Sequence, residues 1–471
     1  MRVAILGGGI AGLSAAWEME KARTCAPDLE YTLYEASGSL GGSIHSETVD
    51  GCVVEGGPDS FLTEKPAAAR LCQELGIDDH LIGSNDAERK TYIVVKNRLV
   101  PLPDGLMFMV PTKLVPTALT RLFSLKTKIK MGLEFLHPPR PMVGDESVAK
   151  LVARHFGAET VDRLVDPLLS GVYGGDAQTL SARAVLARIV NMEEKYGSLC
   201  RGMLAAHKQM QGAGKSPKPL FTTLAGGMQE LVDALVARLH HADLLIDTPV
   251  RSLELCARRW RVNSDDGMRE FDGLIVALPA SVAGPLFVPV DASFGTALSS
   301  VPYSSSVTVA LGYDREQVHS LPPGFGFLVP FSEGRRMLAC TFVHSKFQGR
   351  AADDRALLRC FLGGARDERI LERSDEEIEA IVRWELWSIL GLDAAPRFVR
   401  IHRSRKAMAQ YVVGHAANSA RIQAGVARLP GLALAGNAYE GIGVPDCIRT
   451  GQQAAAAILA AVRPAMCVEA G

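Results

Sequence analysis

Several features are missing from this sequence, and each absence excludes a class of protein. Nine cysteines are spread over 471 residues, odd in number and without a CxxC pair. That pattern argues for a reducing compartment and against a disulfide framework or a zinc site, and no metal ligands are expected. No apolar run reaches the roughly 18 residues that a membrane span requires. The chain opens directly on a strand-like run, so no signal peptide is expected and the location expected is cytoplasmic. The charge balance is 51 basic against 52 acidic residues, a net of −1. Nothing global therefore favours nucleic acid as a partner. The remainder is ordinary for a globular protein of two or three domains, with 47% apolar and 22% charged residues.

The informative stretch is the first sixty residues. Val3-Ala4-Ile5-Leu6 reads as a short buried strand, and Gly7, Gly9 and Gly12 then satisfy GxGxxG. Ala11 to Met19 follows with helix-forming residues. Strand, glycine turn and helix in that order start a dinucleotide-binding unit. Gly7 permits the turn, Gly9 lets backbone approach a pyrophosphate, and Gly12 lets helix and strand pack closely. The free N–H groups and positive end of the helix then face the phosphates. A second strand, Tyr31 to Tyr34, ends at Glu35, placed as a ribose-binding acid. A second glycine pair, Gly41 and Gly42, follows. A lone glycine motif is weak, and these neighbours strengthen it.

Further along, GGPDSF at Gly56 to Phe61 suggests backbone brought close to a ligand. Pro66 to Leu75 reads as a helix closed by Gly76, and residues 92–102 as a hairpin around Lys96-Asn97. Residues 104–142 mix Leu, Met and Phe with Lys113, Arg121, Lys126, Lys128 and Lys130, with no acid between Asp104 and Glu134. Such a segment is either a basic amphipathic surface helix or a helical layer with a solvated face. Pro167 to Arg183 reads as a glycine-rich turn between helices. GAGKS at Gly212 to Ser216 is not a phosphate loop, because Gln209 replaces its first glycine and Pro217 and Pro219 deny it a helix. Phe271 to Leu278 reads as one buried strand, Ser306 to Val343 as part of an antiparallel sheet, and Ser374 to Leu390 as an amphipathic helix. Gly431 to Leu434 leads through Gly436, Gly441 and Gly443 into a long alanine-rich helix.

That second glycine-led helix bears on which dinucleotide binds. An NAD enzyme does not need it, whereas a helix N-terminus beside the isoalloxazine of FAD stabilises the reduced ring. No second GxGxxG follows a later strand, and no CxxxxC redox pair exists. FAD is therefore expected, taking electrons from an organic substrate and passing them to O2 or a quinone. The fold expected is α/β: a discontinuous Rossmann-like FAD-binding domain (1–90, 215–290 and 420–471) with an inserted mixed-sheet substrate domain (91–104 and 291–419). Residues 105–214 form a helical subdomain, for which association with a membrane is left open.

With these motifs in hand, the chain resembles the porphyrinogen oxidases of haem synthesis, within the flavin amine oxidase superfamily. The resemblance rests on GGGIAGL at Gly7, YEASGSLGGSI at Tyr34, EGGPDSFL at Glu55, PLLSGVYGGDAQTLSA at Pro167, GFGFLVP at Gly324 and LAGNAYEGIGVPDCIRTGQ at Leu434. The Pro167 and Leu434 segments are the more specific. It implies bound FAD and a porphyrinogen substrate, with hydride passing from a meso carbon to the flavin and O2 reduced to H2O2. Three rounds remove six electrons. No catalytic side chain is implied, because the flavin carries the chemistry. The resemblance extends the cofactor contacts to Gly57, Pro58, Asp59, Ser60, Val250, Gly436, Val444 and Asp446. It places Gly171 and Val172 along the macrocycle.

Two positions bear on the substrate. Thr91, flanked by Arg89 and Lys90, stands where protoporphyrinogen-type relatives have a propionate-binding arginine. Lys65 stands where coproporphyrinogen-type relatives have a lysine. Four propionates on coproporphyrinogen III, against two on protoporphyrinogen IX, favour extra cationic contacts, so coproporphyrinogen III is the expected substrate. A surface lysine before Pro66 is the plain alternative. Ser43 departs from the resemblance, since a basic residue commonly follows the glycine pair. A peripheral contact with the inner face of the cell membrane, a homodimer and hand-over of product to a chelatase are the partners left open. Rival readings are protoporphyrinogen IX oxidation, another flavin amine oxidase or desaturase, and an inert FAD-binding protein.

Overall fold

The apolar runs and the glycines between them explain why the chain builds one parallel sheet from distant segments. The computed structural model describes residues 1–462, except 108–109, 112, 141–143 and 212–217. The run Gly212 to Ser216 lies outside the described residues. Strands Arg2–Leu6, Glu30–Tyr34, Ala242–Leu245, Gly273–Val276 and Leu432–Leu434 form a five-stranded sheet. All its pairings are parallel, with Arg2–Leu6 between Glu30–Tyr34 and Gly273–Val276, and Leu432–Leu434 at one edge. Val3, Ala4, Ile5, Leu6, Leu274, Ile275 and Val276 are fully buried because helices cover both faces. Each of the Val, Ile and Leu side chains among them contributes about 1.5–3 kcal/mol on burial.

The first helix, Ile10–Arg23, and the last, Val444–Val462, lie side by side on this sheet. At their contact a Cβ on Gly451 would stand 2.2 Å from the Ala11 carbonyl oxygen. The alanine-rich composition of both helices serves that close approach.

A second, mixed sheet has seven strands in the order Phe398–Ala409, Tyr303–Asp314, Arg355–Gly363, Met337–Phe342, Gly326–Leu328, Thr91–Val95, Arg98–Pro101. Only Gly326–Leu328 with Thr91–Val95 is parallel among them. Helix Asp375–Leu390 packs on one face through Ile378, Val382 and Leu386, and its first turn is fixed by the capping box of Ser374 and Glu377. Such a cap is worth about 1 kcal/mol. On the opposite face Ala310 and Leu357 pack with Cys52 and Val54 of the hairpin formed by Ser46–Val49 and Cys52–Glu55.

A helical layer comprises Leu114–Leu119, Leu125–Leu133, Val148–Phe156, Ala182–Val185, Ala187–Tyr196 and Leu199–Gln211. Its core contains Leu122, Phe123, Met131, Leu151, Phe156, Leu164 and Met203.

Three sequence readings change. Phe271 to Leu278 is not one strand. Phe271 ends the antiparallel strand Gly267–Phe271, and the chain crosses at Asp272 into the parallel strand Gly273–Val276. The crossing is pinned where Arg2 N–H donates to the Asp272 carboxylate at 2.8 Å. Pro167 to Arg183 is not all turn: Asp166–Tyr173 is helical after a π-helical stretch at Val161–Val165, and the turn starts at Gly174. Pro167 sits in the first turn of that helix, where its missing N–H does little harm. Helices Ala280–Phe287, Ala292–Ser299 and His415–Arg428 were not expected. Two of them are rich in Ser, Gly and Pro, and they hold by packing on each other, where a Cβ on Gly284 would stand 2.8 Å from the Gly295 carbonyl oxygen.

Candidate functional site

The carboxyl ends of the parallel strands carry the candidate site. Gly7 N–H donates to the Tyr34 carbonyl at 2.8 Å, which carries the turn out of the first strand. A Cβ on Gly12 would fall 1.9 Å from the Gly7 carbonyl oxygen, so this position accepts no side chain. Beyond the turn, Gly41 N–H donates to the Gly8 carbonyl at 2.8 Å and places Gly41 and Gly42 beside Gly9. A Cβ added to Gly9 would meet nothing closer than Gly42 Cα at 3.9 Å. Gly436, with φ of 113°, has nothing within 4 Å of its Cβ position. The glycines thus divide into those that pack backbone on backbone and those that leave a face open.

The first helix carries no side-chain cap and no acid in its first turn. The amides of Ala11 and Gly12 find no acceptor among the described residues. Unsatisfied amides at the positive end of a helix make an anion site. Glu35 accepts from Gly8 N–H at 2.7 Å through one carboxylate oxygen and from Ser37 at 2.8 Å through the other. It is therefore oriented beside the turn. Thr248 N–H donates to the Glu35 carbonyl at 2.8 Å, which brings the strand starting at Val250 next to it. These residues fit a dinucleotide: open glycine backbone, free amides for a diphosphate, and a fixed acid for a ribose.

Past the glycine pair the stretch from Gly57 to Ser60 is fixed by backbone packing and by charge. A Cβ on Gly57 would fall 1.7 Å from the Ser43 carbonyl oxygen. The Asp59 carboxylate lies 3.1 Å from Lys346 Nζ and 3.7 Å from an Arg359 guanidinium nitrogen, and accepts from Ser60 Oγ at 2.8 Å. Burial alone would raise the Asp59 carboxyl, but Lys346 and Arg359 more than offset this and hold it well below the usual carboxylate range. Arg359 also donates to the Gly57 carbonyl. Arg350 is buried against Glu55 and donates to Thr223 Oγ1 at 3.0 Å. The side chains of Asp59 and Ser60 and the Gly57 carbonyl are thus committed within the protein. Above this segment, Arg350 Nε and Nη1, Arg359 Nε and His402 Nε2 are buried without a hydrogen-bond partner.

Lys65 and Asp446, expected to serve substrate and cofactor separately, are brought together. Lys65 Nζ lies 2.6 Å from Asp446 Oδ2, which also accepts from Gly443 N–H at 3.2 Å. Asp446 occupies the first turn of the last helix, two residues after Val444. Gly436, at the head of the same segment, donates its N–H to Thr450 Oγ1 at 3.1 Å. Gly171 and Val172 lie on the last turn of helix Asp166–Tyr173, and Val172 is 61% exposed. Thr91 lies in the mixed sheet, opposite Gly326.

The residues that sequence reasoning missed are Glu55, Lys346, Arg350 and Arg359. One signal was available: Arg359 interrupts the apolar strand ALLRCFLG, and a charge in such a run is seldom buried without a partner.

With this geometry established, the comparisons with known proteins are specific. The family model described as flavin containing amine oxidoreductase matches residues 10–459. A coproporphyrinogen III oxidase of Bacillus subtilis is 34% identical over 457 residues, covering 96% of each chain. Human protoporphyrinogen oxidase is 31% identical over 487 residues, covering 97% of this chain and 98% of that one. A crystal structure named as a protoporphyrinogen oxidase from Exiguobacterium sp. 255-15 superposes with a TM-score of 0.86 at 30% identity, covering 97% of this chain and 98% of the other.

Proposed function

The chain belongs to the flavin-containing amine oxidoreductase family, and on that premise we propose that it oxidises coproporphyrinogen III to coproporphyrin III in haem biosynthesis. The enzyme is an FAD-dependent oxidoreductase. Three O2 accept six electrons and six protons from the porphyrinogen and leave as three H2O2. Bound FAD supplies the two-electron acceptor that links substrate to O2.

The protein's own work is to bind, orient and exclude water. Gly7, Gly9, Gly12, Gly41 and Gly42, with the free amides of Ala11 and Gly12, hold the diphosphate. Glu35 takes a ribose, and the backbone at Val250 meets the adenine. The backbone of Gly57 and Pro58, positioned by Asp59 and Ser60, and the segment carrying Gly436, Val444 and Asp446 hold the ring. Gly171 and Val172 line the macrocycle, and Lys65 exchanges Asp446 for a substrate propionate.

The observation that carries this reading is the end-to-end match to coproporphyrinogen III oxidases, at 34% identity in Bacillus subtilis and 30% in Staphylococcus aureus. The experiment is a comparison of kcat/KM for coproporphyrinogen III and protoporphyrinogen IX, with H2O2 measured alongside. A preference for coproporphyrinogen III with three H2O2 per porphyrin supports it. A preference for protoporphyrinogen IX transfers the assignment to that substrate, which the similarity to the human enzyme favours as the second reading. Turnover of neither refutes both.

The same proposal assigns residues 1–90, 215–290 and 420–471 to FAD, 91–104 and 291–419 to substrate, and 105–214 to a helical subdomain. Among the described residues no helix is long and apolar enough to cross a membrane. Val115, Leu119, Leu125, Ile129, Leu133 and Leu136 nevertheless stand exposed beside Lys126, Lys128 and Lys130. That surface suits peripheral contact with an anionic bilayer, tested by co-sedimentation with anionic and neutral vesicles. A homodimer and product hand-over to a chelatase remain parts of the proposal, tested by light scattering and by trapping of released porphyrin.

A further inference from the structure

The helical layer holds a polar cluster that flavin chemistry does not use. Glu134 and His137 stand three residues apart at the end of the basic apolar segment, and His155 reaches them from helix Val148–Phe156. One ligand atom from each of the three lies within 4.8 Å of the others. Glu134 and His155 are buried, and His137 is half-buried, which leaves a route from solvent. The rings of His137 and His155 are 5.0 Å apart, centre to centre.

The surroundings orient these groups as the shell of a metal centre would. Glu193 lies 3.1 Å from His155 Nε2 and takes that N–H, which turns Nδ1 towards Glu134 at 2.9 Å. A carboxylate on the far ring nitrogen is the usual support for a metal-bound histidine. Glu193 is itself held by Arg154 at 2.6 Å. Glu134 is fixed by Ser198 Oγ at 2.7 Å, Leu199 N–H at 2.6 Å and Cys200 N–H at 3.2 Å. Backbone bonds tether His137: its N–H donates to the Glu134 carbonyl at 3.0 Å, and Arg201 donates to its carbonyl at 2.6 Å. A zinc ion about 2.0–2.1 Å from each ligand holds its ligand atoms about 3.4 Å apart. The Glu134–His155 pair now stands at hydrogen-bond spacing, 2.9 Å, so the ion takes the place of the His155 Nδ1 proton between them, and His137 offers the third ligand atom within 4.8 Å.

We propose that Glu134, His137 and His155 form a structural site for one divalent transition ion of the zinc class, with a water as fourth ligand. The donor set of two imidazoles and one carboxylate suits Zn2+ and its spectroscopic substitute Co2+. This departs from the expectation of no metal ligands, which rested on cysteine spacing; the site uses no thiolate. Bound there, the ion ties the exposed segment Leu125–Leu136 to helices Val148–Phe156, Ala187–Tyr196 and Leu199–Gln211. The ion then adds its binding free energy to the folded layer.

The test uses FAD-loaded full-length protein stripped with chelator and titrated with Zn2+ by calorimetry and with Co2+ by visible absorption. One equivalent per chain, a tetrahedral Co2+ spectrum and a raised unfolding temperature are expected. His137→Ala should weaken binding at least about tenfold, while the metal-free unfolding temperature and the flavin spectrum stay as they are. The exposed His240→Ala should change nothing. Absence of one-equivalent binding would overturn the proposal and leave Glu134, His155 and Glu193 as a metal-free ion cluster. Binding that His137→Ala leaves unchanged would overturn it too, since the ion then sits elsewhere.

Discussion

The two helices that flank the crevice, Ile10–Arg23 and Val444–Val462, both follow a strand of the same parallel sheet, yet their N-termini are prepared in opposite ways. The first has no acid in its opening turn and no cap, and two of its amides are unclaimed. The last has Asp446 in its opening turn, and that carboxylate is already matched by Lys65 at 2.6 Å. A bare helix end keeps its full partial charge for an external anion. An end with its own carboxylate and a partner lysine keeps its dipole beside a matched pair and offers an exchangeable cation as well. In the proposed function the first takes the diphosphate, and the second the ring and a substrate carboxylate. One architecture thus yields two chemistries, by the choice of a single residue in the first turn.

The largest test of that contrast is Gly12→Val, which forces a side chain against the Gly7 carbonyl that now stands 1.9 Å from the Cβ position. FAD retention should fall at least about a hundredfold, read from the absorbance ratio of purified protein. Retention of FAD at the parent level would deny the packing role. Gly9→Asp would give the first helix the charge the last one carries, and about 10- to 100-fold weaker FAD binding is expected from like-charge repulsion. Equal affinity would show that the diphosphate does not lie at this helix end.

A third test concerns the floor beneath the crevice. Asp59 is depressed below its unfolded value, so its contribution to stability is full above about pH 4 and is lost as pH falls through the folded value. Asp59→Asn leaves Lys346 and Arg359 unmatched and should destabilise by about 3–5 kcal/mol at pH 7. Denaturant unfolding should also show a flatter acid limb below about pH 4 in the variant, whereas an unchanged limb would remove Asp59 from the account.

Lys65→Ala and Asp446→Asn sharpen the other helix end. Their pairing is partly exposed, so a double-mutant cycle should give about 0.5–1 kcal/mol of coupling in stability. Lys65→Ala should raise KM for coproporphyrinogen III about 3- to 10-fold, and more than for protoporphyrinogen IX. Equal losses would confine Lys65 to its contact with Asp446. The smallest effect expected is that of Val172→Ala, about 2- to 5-fold in KM, with stability within about 0.5 kcal/mol because Val172 is exposed. A stability loss much above that would mark Val172 as packing rather than contact.

How much of this was legible differs between local and distant features. Gly7, Gly9 and Gly12 could be read because a strand, a turn and a helix that are contiguous impose a fixed spacing on glycine. The parallel sheet was legible from short apolar runs, and so was helix Asp375–Leu390, whose acids and apolar residues alternate at helical spacing. The strand break at Asp272 was missed although Asp272-Gly273 is a turn dipeptide, because Phe271 reads by composition with the apolar run that follows. Helices Ala280–Phe287 and Ala292–Ser299 were hidden by their Gly, Ser and Pro content, which lowers helix propensity while allowing the close packing that stabilises them.

The sequence by itself marked the glycine turn at Gly7, Gly9 and Gly12, since every residue of that turn lies within a few positions of its neighbours. It also determined the glycine-led last helix, for the same reason. Only the tertiary structure decided what Lys65 and Asp59 do. Lys65 meets a carboxylate 381 positions away, and Asp59 meets Lys346 at a separation of 287. Arg350 meets Glu55 at a separation of 295. Charge pairing depends on distance through space, and chain closure over hundreds of residues leaves no periodicity for a local pattern to record.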